Sequence, residues 1–187
     1  MTDAEALFLE GNHLMAADDM AGAAAYFREA VRIAPDFAEA YANLGLLLDR
    51  QGDTEAAEIA YRRSITLDPA HFETHLNLGG LLANGKRFAA AEAAYQQAIA
   101  LNPTSPAGWS NLGVLHACTK REEEAEQCYR TAMALDESYA TARFNLSYLL
   151  LRQGRFAAGW QCLEARSGYA VQAAHFACPR WRGESLA

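Results

Sequence analysis

Apolar positions return along this chain in a helical rhythm. Tyr41, Leu44, Gly45 and Leu48 trace one face at i, i+3, i+4 and i+7. The face then repeats as a block. Leu44-Gly45, Leu78-Gly79 and Leu112-Gly113 recur every 34 residues, and Gly11 and Ser147 extend the series on either side. A small residue recurs at Ala23, Ala57, Ala91, Ala125 and Gly159, and a large one at Phe27, Tyr61, Tyr95, Tyr129 and Leu163. A second small residue holds Ala30, Ser64, Ala98 and Ala132 and gives way to Arg166. Proline holds Pro35, Pro69 and Pro103, and Glu137 takes the next place.

Each recurrence has a physical reason. Proline lacks an N–H and disfavours helix in the residue before it, so it closes a unit. Small residues let two helices approach closely, and the aromatic fills the space beside them. Turn signals such as Gly52-Asp53-Thr54 and Gly154-Arg155 divide each unit into two short helices. The pattern predicts an all-α stack of helical hairpins, each burying its faces on its neighbours. The units fall at 4–37, 38–71, 72–105, 106–139 and 140–173. The first deviates at Glu10, where the others have Leu, and the fifth degrades after Gly159.

A 34-residue helix-turn-helix with these occupants resembles the tetratricopeptide repeat (TPR), over about residues 4–171. The resemblance implies a right-handed superhelical solenoid of about five repeats over residues 1–173, followed by a tail at 174–187. In that family the first helix of each unit lines a concave groove. Its second, fifth, sixth and ninth positions tend to face that groove. The sixth is Asn43, Asn77, Asn111 and Asn145, an asparagine ladder spaced by one repeat. An amide offers both a donor and an acceptor, so it can pair with a peptide backbone of any sequence. The alternative is that these asparagines only stabilise the repeat. Further groove positions are Glu5, Glu39, Glu73, Ala107 and Thr141, with Asn12, Asn84, Arg50 and Arg152 nearby. The acidic members gather toward the N-terminal end, which favours a basic or neutral ligand segment there. One subfamily clamps the carboxylate terminus of heat-shock chaperones with Lys/Asn/Asn/Lys/Arg. In that register this chain has Phe8, Asn12, Asn43, Glu73 and Asn77, so the cations are missing and the clamp is rejected.

Composition narrows the function. The formal net charge is −7, which argues against nucleic acid as a partner. Residues 1–142 hold 10 Lys/Arg against 21 Asp/Glu, whereas residues 143–187 hold 6 Arg against Glu164 and Glu184. The first fifteen residues carry no apolar run of the kind a secretory signal needs, and no stretch approaches a membrane span. Cys118, Cys128, Cys162 and Cys178 form no CxxC pair, which suits reduced thiols in a cytoplasmic protein. His71 and His75 stand four apart without the HExxH arrangement, and both read as structural. His13 and His116 fall where apolar residues usually sit, so packing is expected of both. No phosphate loop, nucleophile elbow or carboxylate pair stands out. No cofactor, metal or enzymatic activity of this chain is expected.

The C-terminal stretch adds one further resemblance. Gly154, Phe156, Gly159, Trp160, Glu164 and Arg166 are followed by Phe176, Pro179, Trp181, Gly183, Glu184 and Leu186. This order is similar to the junction between repeats and a catalytic domain in bacterial TPR–glycosyltransferase proteins. Those proteins are related in style to O-linked N-acetylglucosamine transferases, whose asparagine ladder binds acceptor polypeptides. The resemblance implies an acceptor-recognition region of a larger glycosyltransferase. A stand-alone assembly adaptor and a self-associating solenoid, which would form homo-oligomers, are the alternatives.

Overall fold

The computed structural model describes residues 2–164, and among them the chain is helical with no strand. Ten helices follow one another as α1 (Asp3–Ala16), α2 (Met20–Ile33), α3 (Ala38–Arg50), α4 (Thr54–Leu67), α5 (Phe72–Asn84), α6 (Phe88–Leu101), α7 (Pro106–Cys118), α8 (Glu122–Leu135), α9 (Ala140–Arg152) and α10 (Phe156–Glu164). The all-α expectation holds. The tail residues Phe176, Pro179 and Trp181, together with Arg166 and Cys178, lie outside the described residues. No helix among the described residues is long and apolar enough to cross a membrane.

The described residues group into two compact units that divide between Thr104 and Ser105. In the first, α1 packs on α2, α3 on α4 and α5 on α6, while α2 meets α3 and α4 meets α5. In the second, α7 packs on α8 and α9 on α10, and α8 meets α9. First helices of successive pairs also touch, α3 with α5 and α7 with α9.

The repeated small and large residues form the contact inside each hairpin. A Cβ on Gly11 would come within 2.7 Å of Phe27 Cε1, and one on Gly45 within 2.7 Å of Tyr61 Cδ1. The same pairing joins Gly79 to Tyr95, at 2.5 Å, and Gly113 to Tyr129, at 2.7 Å. Glycine there is a packing requirement: the ring occupies the space a side chain would take. Ala23, Ala57, Ala91 and Ala125 are fully buried, and Phe27, Tyr61, Tyr95 and Tyr129 nearly so. In the last pair the motif changes. Ser147 replaces the glycine and is buried, its hydroxyl donating to Phe144 O at 2.7 Å, and Gly159 lies against Leu151 instead.

The turn inside each hairpin also repeats. Asp18, Gly52, Lys86, Lys120 and Gly154 all have left-handed φ, between 58° and 82°. Each is followed by a residue whose N–H reaches back five positions, from Asp19 to Leu14 O, Asp53 to Leu48 O, Arg87 to Leu82 O, Arg121 to His116 O and Arg155 to Leu150 O. These are Schellman closures, which satisfy carbonyls at the end of the first helix. Asp19 and Asp53 then cap the second helix, accepting from Gly22 N and Ala56 N at 2.9 Å and 3.2 Å.

The histidines divide. His75 is buried, its Nε2 bonded to Pro69 O at 3.0 Å, and His71 caps α5 through Nδ1 against Thr74 N and Thr74 Oγ1. His116 is buried as expected. His13 is exposed instead, because it lies on the outer side of α1, away from the buried Ala4 and Gly11.

Candidate functional site

The register expected to face the groove lies on the first helix of each pair, α1, α3 and α5 in the first unit and α7 and α9 in the second. Placement follows from what the other side of each helix must bury. On α3, Leu44, Gly45, Leu47 and Leu48 are committed to the interior, which leaves Glu39, Asn43 and Arg50 on the opposite side. Asn43, Asn77, Asn111 and Asn145 are all half-buried.

In the first unit the structure joins two of the sequence-selected residues directly. Asn43 Nδ2 donates to Asn12 Oδ1 at 2.8 Å, linking α3 to α1. Asn77 makes no side-chain hydrogen bond to the described residues. Glu39 and Glu73 are exposed, and Glu73 lies 3.7 Å from His71 Nδ1. Glu5 serves α1 itself, its carboxylate accepting from Thr2 N at 2.7 Å in a capping box. Arg50 extends over Met20 Sδ, at 3.8 Å, and Asn84 is exposed. Phe8, which stands where the chaperone clamp has a lysine, packs against Phe27 and Phe37 with ring centroids 5.6 Å and 4.9 Å away. Asp49 is half-buried, and burial pushes its carboxyl above its ordinary value.

In the second unit, Asn111 and Asn145 carry the register on α7 and α9, and neither side chain bonds a described residue. Ala107 is half-buried and Thr141 exposed. Arg152 is held by Glu122, Nη2 to Oε1 at 2.7 Å, and Gln153 Nε2 reaches the same carboxylate at 2.9 Å. Sequence reasoning passed over a cleft of about 210 Å³ beside Asn145, walled by Val114, Cys118, Tyr129, Tyr148 and Arg152. Its signal was available. Val114 and Tyr148 occupy the ninth place of their repeats, three after Asn111 and Asn145.

Residues 2–115 match the family model of the Cilia and flagella-associated protein 70 middle TPR-like domain. Residues 121–159 match that of the Tetratricopeptide repeat. The chain belongs to the tetratricopeptide-repeat family. No curated protein matches it. Among solved structures, this TPR chain is similar to Pseudomonas aeruginosa PilF, at 21% identity and a TM-score of 0.80 over 87% of this chain and 74% of that one. It is also similar to MamA from Desulfovibrio magneticus, at 19% identity and 0.76 over 88% and 93%. YrrB, described as a TPR protein with an unusual peptide-binding site, aligns at 18% identity and 0.68 over 87% and 84%. At these identities the likeness concerns the fold.

Proposed function

We propose that this chain is a protein-interaction scaffold that holds an extended polypeptide segment by its backbone. The groove residues are Asn77, Asn111 and Asn145, with Asn12, Asn43, Glu39 and Glu73 alongside. The observation that carries the reading is the set of half-buried amides at repeat spacing with no hydrogen-bond partner among the described residues, those of Asn77, Asn111 and Asn145. A purely structural asparagine would spend its donor and acceptor on the protein, as Asn43 does on Asn12. The similarity to YrrB supports the same class of ligand.

The reading takes residues 1–173 as the scaffold, in a cytoplasmic setting that suits its four thiols. Its finer form, the acceptor-recognition region of a glycosyltransferase, rests on the Gly154–Leu186 sequence pattern. Neither matched family is a glycosyltransferase. An adaptor or a self-associating role would use the same repeats.

The test is a peptide array of extended 15-residue segments, followed by titration of the tightest binders. Asn77→Ala and Asn111→Ala should weaken them, each by about 0.5–1.5 kcal/mol, with melting temperature nearly unchanged. Binders indifferent to both substitutions would overturn the backbone-holding role.

A further inference from the structure

The second unit differs in chemistry from the first. The groove helices α1, α3 and α5 carry Glu5, Glu39 and Glu73, whereas α7 and α9 carry no carboxylate at all. Their groove side is apolar instead: Val114 is 40% exposed, Phe144 51% and Tyr148 63%. Tyr148 cannot be accounted for as core, since the core of this unit is built from Ala125, Tyr129, Leu146, Leu149 and Leu150. An apolar wall left in water at the ninth register place of two successive repeats forms one side of the cleft beside Asn145.

The size of the cleft limits its occupant. An apolar cavity of about 150 Å³ accommodates a benzene ring, and this one measures about 210 Å³. A helix, about 10 Å across, does not fit. One large side chain does. Two polar groups edge the opening. Asn145 presents an amide with no hydrogen-bond partner among the described residues, suited to the backbone next to an inserted side chain. Arg152 supplies positive charge, and although Glu122 holds it, its side chain remains 43% exposed.

We propose that this cleft is a specificity pocket. It takes one bulky apolar side chain, phenyl or leucine-like, from an extended polypeptide partner whose adjacent residue is acidic. The inference rests on the backbone-holding reading above and adds the side chain that is selected. The neighbouring charge follows from complementarity, with Arg152 at the opening and no carboxylate on either groove helix.

The experiment is NMR titration of the full chain, following the Val114 methyls and the Asn145 side-chain amide. The probes are the N-acetyl N-methylamides of phenylalanine, leucine and alanine, then N-acetyl-Phe-Asp-amide against N-acetyl-Phe-Lys-amide. Phenylalanine and leucine should give saturable shifts at both reporters, about tenfold tighter than alanine, and the Asp dipeptide should bind more tightly than the Lys dipeptide. Val114→Trp, which fills the cleft, should abolish the discrimination with the helical circular dichroism retained. Tyr148→Ala removes one wall at an exposed position and should reduce the discrimination without threatening the fold. Equal affinity for phenylalanine and alanine, or discrimination that survives both variants, overturns the pocket. Tighter binding of the Lys dipeptide overturns the acidic neighbour. Array binders that still depend on Asn77 and Asn111 while the cleft fails to discriminate would sink the pocket alone and leave the scaffold standing.

Discussion

Asn43 on α3 donates its amide to Asn12 on α1, at 2.8 Å. The bond gives the two asparagines a structural role that Asn77, with no hydrogen-bond partner among the described residues, does not share. The same residue type at the same register place therefore performs two tasks. Asn43→Ala should lower stability by about 0.5–1.5 kcal/mol, because Asn12 loses its partner in a half-buried site. A double-mutant cycle with Asn12→Ala should show coupling of about 0.5 kcal/mol or more. Asn77→Ala should leave the denaturation midpoint in place. Equal costs at both positions would erase the distinction.

The glycine beneath each aromatic ring gives a sharper test of packing. A Cβ on Gly79 would stand 2.5 Å from Tyr95 Cε1 and 2.6 Å from Cδ1. Tyr95 is only 4% exposed. Gly79→Ala should therefore destabilise by about 1–3 kcal/mol, although alanine is the better helix former by about 1 kcal/mol. Gly80→Ala is the control. A Cβ there meets only Tyr95 Oη at 3.8 Å, so the substitution should be neutral or stabilising in urea denaturation.

These contacts show what could be read from the chain. The recurrence of Gly45 with Tyr61 and of Gly79 with Tyr95 indicated helical hairpins because one contact recurs at one spacing. The turns were half legible. Gly52 and Gly154 announced themselves, but Asp18, Lys86 and Lys120 adopt the same left-handed conformation without glycine, held there by the Schellman bonds around them. The groove register placed Asn43 but not its bond to Asn12, since Asn12 sits at the ninth place of its repeat and pairs with the sixth place of the next. The cleft at Val114 and Tyr148 left only a register signal, apolar residues at the ninth place of two successive repeats, and its walls emerge only once their neighbours are known. The ion pairs of Glu58 with Arg87 and of Glu126 with Arg155 escaped too, although each joins a glutamate to the arginine 29 residues on.

The left-handed turns make an opposite prediction at two equivalent places. Lys120 has φ 63° and Gly52 φ 82°. An L-residue pays roughly 1–2 kcal/mol in that region, offset in part by the greater unfolded-state freedom of glycine. Lys120→Gly should raise stability by about 0.5–1 kcal/mol, and Gly52→Ala should lower it by about 1 kcal/mol. Chemical denaturation of the two variants checks both signs. A loss from Lys120→Gly would mean that its side chain contributes more than its backbone costs.

Glu126 ties two hairpins of the second unit together. It takes Arg130 on its own helix at 2.7 Å and Arg155, at the start of α10, at 2.5 Å. Glu58 does the same with Arg62 and Arg87 in the first unit, at 2.9 Å and 2.6 Å. The hydrogen bond from Arg155 does most to hold the Glu126 carboxyl below its ordinary value; burial opposes it, and the bond from Arg130 adds to the lowering. A carboxylate depressed in the folded state binds its proton less readily there than in the unfolded chain, whose value is about 4.3. Its contribution is therefore complete above that value and disappears as pH falls through the lower folded one. The arginines stay charged throughout. Glu126→Gln should cost about 0.5–1 kcal/mol at pH 7, as the partner guanidiniums are half in water. The difference between the two proteins should shrink as pH falls below about 4. Urea denaturation of both across that range measures it, and a gap that is unchanged or widens on acidification would show that Glu126 acts through packing and not through its charge.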